Sequence, residues 1–516
     1  MPMETIRKTI LTAIVMISSI LSSEAQSVFQ NPILRGFNPD PSICRVGDDY
    51  YMATSSFTWT PGMPVYHSRD LVHWERICYA KPESISLDGL NDNDGIWAVT
   101  IRYHDGYFYL IANAQKCGGN FFIKAKDPKG PWSDPVWIED APGIDPSLFW
   151  DDDGRCYYTG NRWNFKHDWT GQCAIWIQEI DLNSGRLLGE PNDITYGYAA
   201  NAGYAEGPHI YKMNGKYLLL MAEGGAQSNH AVTAHYSGSL TGKYTPCKVN
   251  PVITHRQLGN KASIQCIGHA DIVDTPDGEW WMVVLGNRVS GGLMPIGRET
   301  FLAKVDFQDG ELIVNPGEGR ILETMEGPSL ANVPMSISDD WYFLRSPGQH
   351  FADIDGDRIT MRLQPEVIDS LVSPSVLLKK VSEFDFSRTC KITFSTKKDN
   401  EEAGMVYYRT ANGYFAFMKG KEGISLYCKD KGKKRTIARA PYKEKSVFLK
   451  IDVRDNKVRF FYGNTPDASD AICEALSIAP VCDNKYNKFN GTGIGVYASS
   501  NGRKSKAVAE FESVDQ

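Results

Sequence analysis

The run Gly36-Phe37-Asn38-Pro39-Asp40-Pro41-Ser42-Ile43 sets one carboxylate between two prolines. Proline disfavours helical backbone in the residue before it, so Asn38 and Asp40 are both pushed towards extended conformations. Neither proline can donate to a sheet ladder, which puts Asp40 at the open start of a strand. Eight residues after Asp40 come Asp48-Asp49 and then Tyr50-Tyr51-Met52-Ala53, a turn followed by a strand.

The layout recurs four more times. Trp97 stands eight residues before Asp105-Gly106, Asp145 before Asp153-Gly154, Glu206 before Asn214-Gly215 and His269 before Asp277-Gly278. Each turn leads into an apolar run, and the turns are spaced by 57, 48, 61 and 63 residues. Asx-Gly between apolar runs is a strong hairpin signal. A strand repeat near this period predicts a five-bladed β-propeller with one four-stranded blade per repeat. Equivalent positions in successive blades then surround one axis. Asp40, Trp97, Asp145, Glu206 and His269 are expected to face a common point, and three of them are carboxylic acids.

The repeats span residues 26–325, each adding a third strand and a return strand, such as Phe121–Ala125 with Pro131-Trp132 and Ala231–Ala234 with Tyr244. A linker rich in Gly, Pro and Ser covers 326–336. Residues 337–516 are again strand-like: Val447, Leu449, Ile451 and Val453 alternate with Phe448, Lys450, Asp452 and Arg454, as in a strand covered on one face. The fold class is therefore all-β, a propeller followed by a β-sandwich.

Composition narrows the function. A formal charge of −7 argues against nucleic acid or an anionic membrane surface as partner. Residues 1–25 read as a signal peptide, with Arg7 and Lys8 before the apolar run Thr9–Leu21 and small residues Ser23 and Ala25 at the cleavage spacing. An exported, periplasmic protein is expected. The 11 cysteines form no Cys-x-x-Cys pair, and Cys156, Cys266 and Cys428 sit in apolar runs as small buried residues.

Two carboxyl groups facing across a pocket are the minimal equipment for cleaving a glycosidic bond, and a third can hold the acid protonated by like-charge repulsion. Singly, Asp40 and Asp145 read as turn residues and Glu206 as a solvated loop residue. Together and in one register they read as a site. For His269 a core role and a pocket or metal role both stand open.

Asn38-Pro39-Asp40-Pro41-Ser42, Phe57-Thr58-Trp59-Thr60-Pro61-Gly62, Ile144-Asp145-Pro146-Ser147, Glu206-Gly207-Pro208-His209 and Pro295-Ile296-Gly297-Arg298-Glu299 resemble glycoside hydrolase family 43. The resemblance is to its β-xylosidase and α-L-arabinofuranosidase branch and extends through Ala403–Tyr408 into the second domain. It implies an inverting, exo-acting enzyme on an oligosaccharide, with a concanavalin-like sandwich that reaches over the pocket. It assigns Asp40 as general base, Glu206 as general acid and Asp145 as the tuner of the acid. It suggests Phe57, Trp59 and Trp97 as pocket walls, and Arg298 as a contact to sugar or carboxylate, with an ion pair to Glu299 as the alternative. No cofactor is needed for the chemistry, though His269 could hold an axial calcium ion through water. Trp97-Ala98-Val99-Thr100 replaces the Trp-Ala-Pro usual in the xylosidases, and Asn287–Leu293 also differs. These departures tilt the reading to terminal α-L-arabinofuranose, with β-D-xylose close behind. A sugar-binding propeller without catalysis is the alternative from another class.

Overall fold

The computed structural model describes residues 28–163, 167–199, 202–259 and 261–514; the expected signal peptide lies outside them. Five antiparallel sheets follow one another in the first part of the chain. Their innermost strands are Ser42–Val46, Gly95–His104, Ser147–Trp150, Glu206–Met213 and Ile264–Asp274. Each sheet then runs outward strand by strand to a fourth, with Trp59–Thr60 of the first blade left out of its own ladder. The propeller is thus laid down from axis to rim, five times. Second strands such as Tyr107–Gln115 and Lys216–Glu223 are buried almost end to end, because neighbouring blades cover both faces. Outer strands are less regular: in the second and fourth blades they shrink to Val136–Trp137 and Thr245–Pro246. Both begin after the Trp132 and Tyr244 that marked them in the sequence. Rim strands bury little, so their sequence carries a weak pattern.

The ends of this region are tied together. Val28–Gln30 pairs with Thr324–Glu326, and the Asn31 amide donates to the carbonyls of Leu302 and Leu322 while accepting from Leu302 N–H. At the axis one polar network joins all five blades. Arg102 Nη1 donates to Asp271 Oδ2 at 2.7 Å and to Ser42 Oγ at 3.0 Å. Arg102 Nη2 meets His209 Nδ1 at 2.8 Å, which is also 3.2 Å from Ser147 Oγ. Tyr211 hydroxyl donates to Asp271, whose side chain is fully buried.

Residues 327–341 carry no regular strand. Phe343–Leu344 then pairs with Trp59–Thr60 of the first blade. The second part packs a six-stranded sheet on a larger one around Met361, Ile392, Met405, Phe415, Phe417, Leu449, Ile451, Phe460 and Phe511. In Ser446–Arg454 the side chains at 447, 449, 451 and 453 are all buried, as the alternation required. Among the described residues the only helical element is the 3-10 turn Ala479–Val481, and no helix is long and apolar enough to cross a membrane. All 11 cysteines are free, and Cys156, Cys266 and Cys428 are buried.

Asp271→Ala would leave the Arg102 guanidinium in the hub without its counter-charge. Breaking one side of a buried pair costs about 3–5 kcal/mol. Denaturant unfolding of the full chain is expected to show a loss of that order; a loss under about 1 kcal/mol would mean that the hub does not hold the blades together.

Candidate active site

Where each inner strand meets the axis, one residue has left-handed backbone: Asp40 (φ 54°), Ala98 (45°), Asp145 (57°), Gly207 (59°) and His269 (51°). Positive φ is uncommon outside glycine, so its recurrence at one place in five blades marks a shared kink. In the longer strands the kink breaks the ladder: pairing shifts between Trp97 and Thr100, between Glu206 and His209, and around His269. The equal eight-residue offsets in the sequence therefore hide a slip. The backbone equivalents of Asp40, Asp145 and His269 are Ala98 and Gly207, one residue after Trp97 and Glu206. The slip is geometric as well as steric, since a Cβ on Gly207 would stand 3.1 Å from the His269 ring.

The five residues nonetheless meet. Asp40, Trp97, Asp145, Glu206 and His269 line one cavity of about 360 Å³, together with Phe57, Tyr204, His230, Arg298 and Phe489. That volume lies within the range of small-ligand sites. Trp59 is the exception among the expected walls. It is buried behind the cavity against Phe37 and Tyr342, and its indole N–H donates to Asn490 Oδ1 at 3.2 Å. Phe57, itself left-handed at φ 53°, turns the other way and faces the cavity.

Surroundings set the three carboxyl groups apart. Asp40 Oδ1 accepts from Arg298 Nη1 and Oδ2 from Ser55 Oγ, both at 2.7 Å. Burial alone would raise the Asp40 carboxyl; the Arg298 guanidinium, His269 and the Ser55 hydroxyl outweigh it and hold the group below its usual range. Asp145 Oδ2 accepts from Gly207 N–H at 2.9 Å. Burial nevertheless pushes Asp145 up to about 6, with the Asp40 charge adding to the rise. Glu206 is raised well above its ordinary range, first by burial and then by the charges of Asp145 and Asp40. The surroundings thus favour the ionised form at Asp40 and the protonated form at Glu206.

Arg298 is a partner of Asp40, and the alternative pairing with Glu299 is not formed. Glu299 turns into the fold and binds Arg288 at 2.7 Å and Gly36 N–H at 2.8 Å. Arg298 instead stacks between the rings of Phe57 and Phe489. Three cavity residues carried no signal in the repeat. Phe489 and Lys488 come from the sandwich, far along the chain. His230, like Phe57, lies between the second and third strands of its blade, a segment that the inner-strand register does not reach. Its Nδ1 lies 3.1 Å from the Cys266 carbonyl, its Nε2 has no protein partner, and burial lowers the ring to about 4, so it is neutral.

An axial calcium ion here would be held by His269 through water, because the protein side chains alone do not make up a calcium shell. Calcium takes six to eight oxygen ligands. Among the described residues no group of three or more His, Cys, Asp or Glu side chains is arranged to hold a metal. Further along the axis the positive charge is already supplied by Arg102, matched by Asp271. No step below uses a metal.

Comparison with known proteins places this geometry. The model of glycosyl hydrolases family 43 matches residues 29–312, and that of the beta xylosidase C-terminal concanavalin A-like domain matches residues 335–515. The chain belongs to glycoside hydrolase family 43. It is 36% identical to a xylosidase/arabinosidase of Butyrivibrio fibrisolvens over 94% of this chain and 98% of the relative. It is 34% identical to the non-reducing end alpha-L-arabinofuranosidase BoGH43B of Bacteroides ovatus, over 96% of this chain and 95% of that one. The solved structure of Bacteroides ovatus xyloglucan PUL GH43B superposes with a TM-score of 0.86 at 31% identity, covering 95% of this chain and all of its own. This glycoside hydrolase therefore has the all-β architecture that its repeats foretold.

In Asp145→Asn the amide oxygen still accepts from Gly207 but the charge is gone. Glu206 then loses a neighbour that keeps it protonated, and its pKa falls. The alkaline limb of kcat/KM on an aryl pentoside should move to lower pH by about one unit. An unmoved limb would show that Glu206 does not feel Asp145.

Proposed function

We propose that this hydrolase removes terminal pentosyl units from hemicellulose oligosaccharides by a single inverting displacement, α-L-arabinofuranose being favoured and β-D-xylose accepted. The observation that carries the reading is that Asp40, bonded to Arg298, and Glu206, with no such cation bonded to it among the described residues, line one cavity with Asp145. Asp40, held ionised by Arg298, takes a proton from water as the water oxygen bonds to the anomeric carbon. Glu206, held neutral by burial, gives its proton to the departing glycosidic oxygen as the carbon–oxygen bond breaks. Afterwards Asp40 is protonated and Glu206 ionised, and exchange with solvent restores both. Asp145 keeps Glu206 acidic until substrate arrives.

Exo action is supported by Lys488 and Phe489, which wall the cavity from the sandwich side. A long polymer passing through an open groove would meet that wall, whereas a chain end would not. The relatives are named for either sugar, one for arabinofuranose, one for both and others as beta-xylosidases, so the preference for arabinofuranose over xylose is narrow. The two local departures carry less than their position in the sequence suggested. Val99 is buried in the core between blades, and neither it nor Asn287–Leu293 lines the cavity. β-D-Xylosidase action is therefore the second reading, on the same residues. The basic region and short apolar run at the start of the chain support export to the periplasm.

Leaving-group dependence separates the roles. Glu206→Ala should lose about 10²–10⁴-fold on a poor leaving group but far less on dinitrophenyl pentosides, which depart unaided. Asp40→Ala should lose a similar factor on both. An equal loss for the two variants on every substrate, or wild-type rates in either, would reverse or remove the assignment.

A further inference from the structure

The general base is held by an arginine that is itself held from the other domain. Arg298 Nε and Nη2 donate to the Phe489 carbonyl at 3.3 and 3.2 Å, while Nη1 reaches Asp40. Phe489 offers that carbonyl because its own backbone is left-handed, φ 69°. The next residue, Asn490, is fully buried, does not line the cavity, and uses its side chain on the propeller. Its Nδ2 donates to the Asp92 carbonyl at 2.6 Å and to Asn93 Oδ1 at 3.0 Å, and its Oδ1 accepts from Trp59 Nε1. Gly491 has no room for a side chain: a Cβ there would lie 2.1 Å from Cβ of Phe37.

The loop that receives Asn490 is equally fixed. Asp92 Oδ1 accepts from Tyr408 hydroxyl at 2.7 Å and from Arg345 Nη2 at 3.3 Å, and its Oδ2 accepts from Ala411 N–H at 2.9 Å. Arg345 is fully buried and also donates to the Leu90 carbonyl. Tyr408 and Ala411 belong to the sandwich and Asp92 to the propeller. The contact between domains includes this polar network, and one arm of it towards the cavity runs through Asn490, Phe489 and Arg298 to Asp40.

We infer that Asn490 is a positioning residue for catalysis: by anchoring the sandwich loop to the propeller at Asp92 and Asn93, it aims the Phe489 carbonyl that clamps Arg298 onto the general base. The sandwich then does more than wall the pocket. It sets the charge state of Asp40, because a looser Arg298 leaves a buried carboxylate less compensated and its pKa rises. The carbonyl of Phe489 accepts from the arginine, and its ring stacks on the same guanidinium while walling the cavity.

The inference rests on Asp40 as the base, and three variants of the full chain test it. Asn490→Asp keeps size and the Trp59 acceptor but loses both donors; Asn93→Ala removes one acceptor from a partly exposed loop position and leaves the core intact. Both should shift the acid limb of kcat/KM to higher pH, by about one unit or more in Asn490→Asp and less in Asn93→Ala, with the alkaline limb unmoved. Phe489→Ala keeps the carbonyl but loses the ring stacked on Arg298, and should change KM with a smaller shift of the acid limb than in Asn490→Asp. Wild-type acid limbs in the folded Asn490 and Asn93 variants would overturn the inference, and if Asn490→Asp does not fold, Asn93→Ala decides alone. Should Asp40→Ala itself retain activity, the reading of the site fails instead, and the two failures are told apart by that control.

Discussion

One charge-assisted hydrogen bond, from Arg298 to Asp40, is the constraint on which the site depends. Both groups are almost wholly buried, and burial by itself would raise the Asp40 carboxyl. Together they fix a carboxylate in a place where burial would otherwise neutralise it. The pair spans the joint between the last blade and the first, since Arg298 precedes the strand Glu299–Gln308 and Asp40 precedes Ser42–Val46. Closing the propeller thus also brings Arg298 onto Asp40.

The same low-polarity surroundings act in opposite directions on three like groups. Asp40 has a guanidinium, a hydroxyl and an imidazole near it; Glu206 has burial and two carboxylates. Asp145, with one backbone N–H, falls between. No residue type distinguishes acid from base here, because a carboxyl becomes one or the other by what stands beside it. That division follows from the propeller, which brings groups more than a hundred residues apart in sequence to one axis. The Arg102–Asp271 hub behind the cavity keeps those strands converged.

Much of this was legible in the chain. Asx-Gly turns at a steady distance after Asp40, Trp97, Asp145, Glu206 and His269 located five blades and put all five residues at one cavity. What failed to show was whatever depends on contacts between distant segments. The left-handed kink falls on Ala98 and Gly207, one step past the residues that the count picked out, since counting cannot see a bulge. Trp59 and Phe57 look alike in sequence, yet a two-residue separation sends one ring behind the cavity and the other into it. Phe489 and His230 lie outside the repeat, and nothing local to either signals a pocket. Arg298-Glu299 read as a possible ion pair, but adjacent residues on an extended chain face opposite ways, and each found its partner elsewhere.

The central claim is that the resting enzyme holds one carboxyl charged and its opposite number protonated in the same cavity. Infrared titration of the carboxyl region, wild type against Glu206→Gln and Asp40→Asn, measures this directly. Glu223, which burial pushes up to about 7, contributes a band of its own, and the account predicts a further protonated-carboxyl component at neutral pH that is present in the wild type and in Asp40→Asn and missing from Glu206→Gln. A neutral-pH spectrum without that component, or a component that vanishes in Asp40→Asn while surviving in Glu206→Gln, would contradict it.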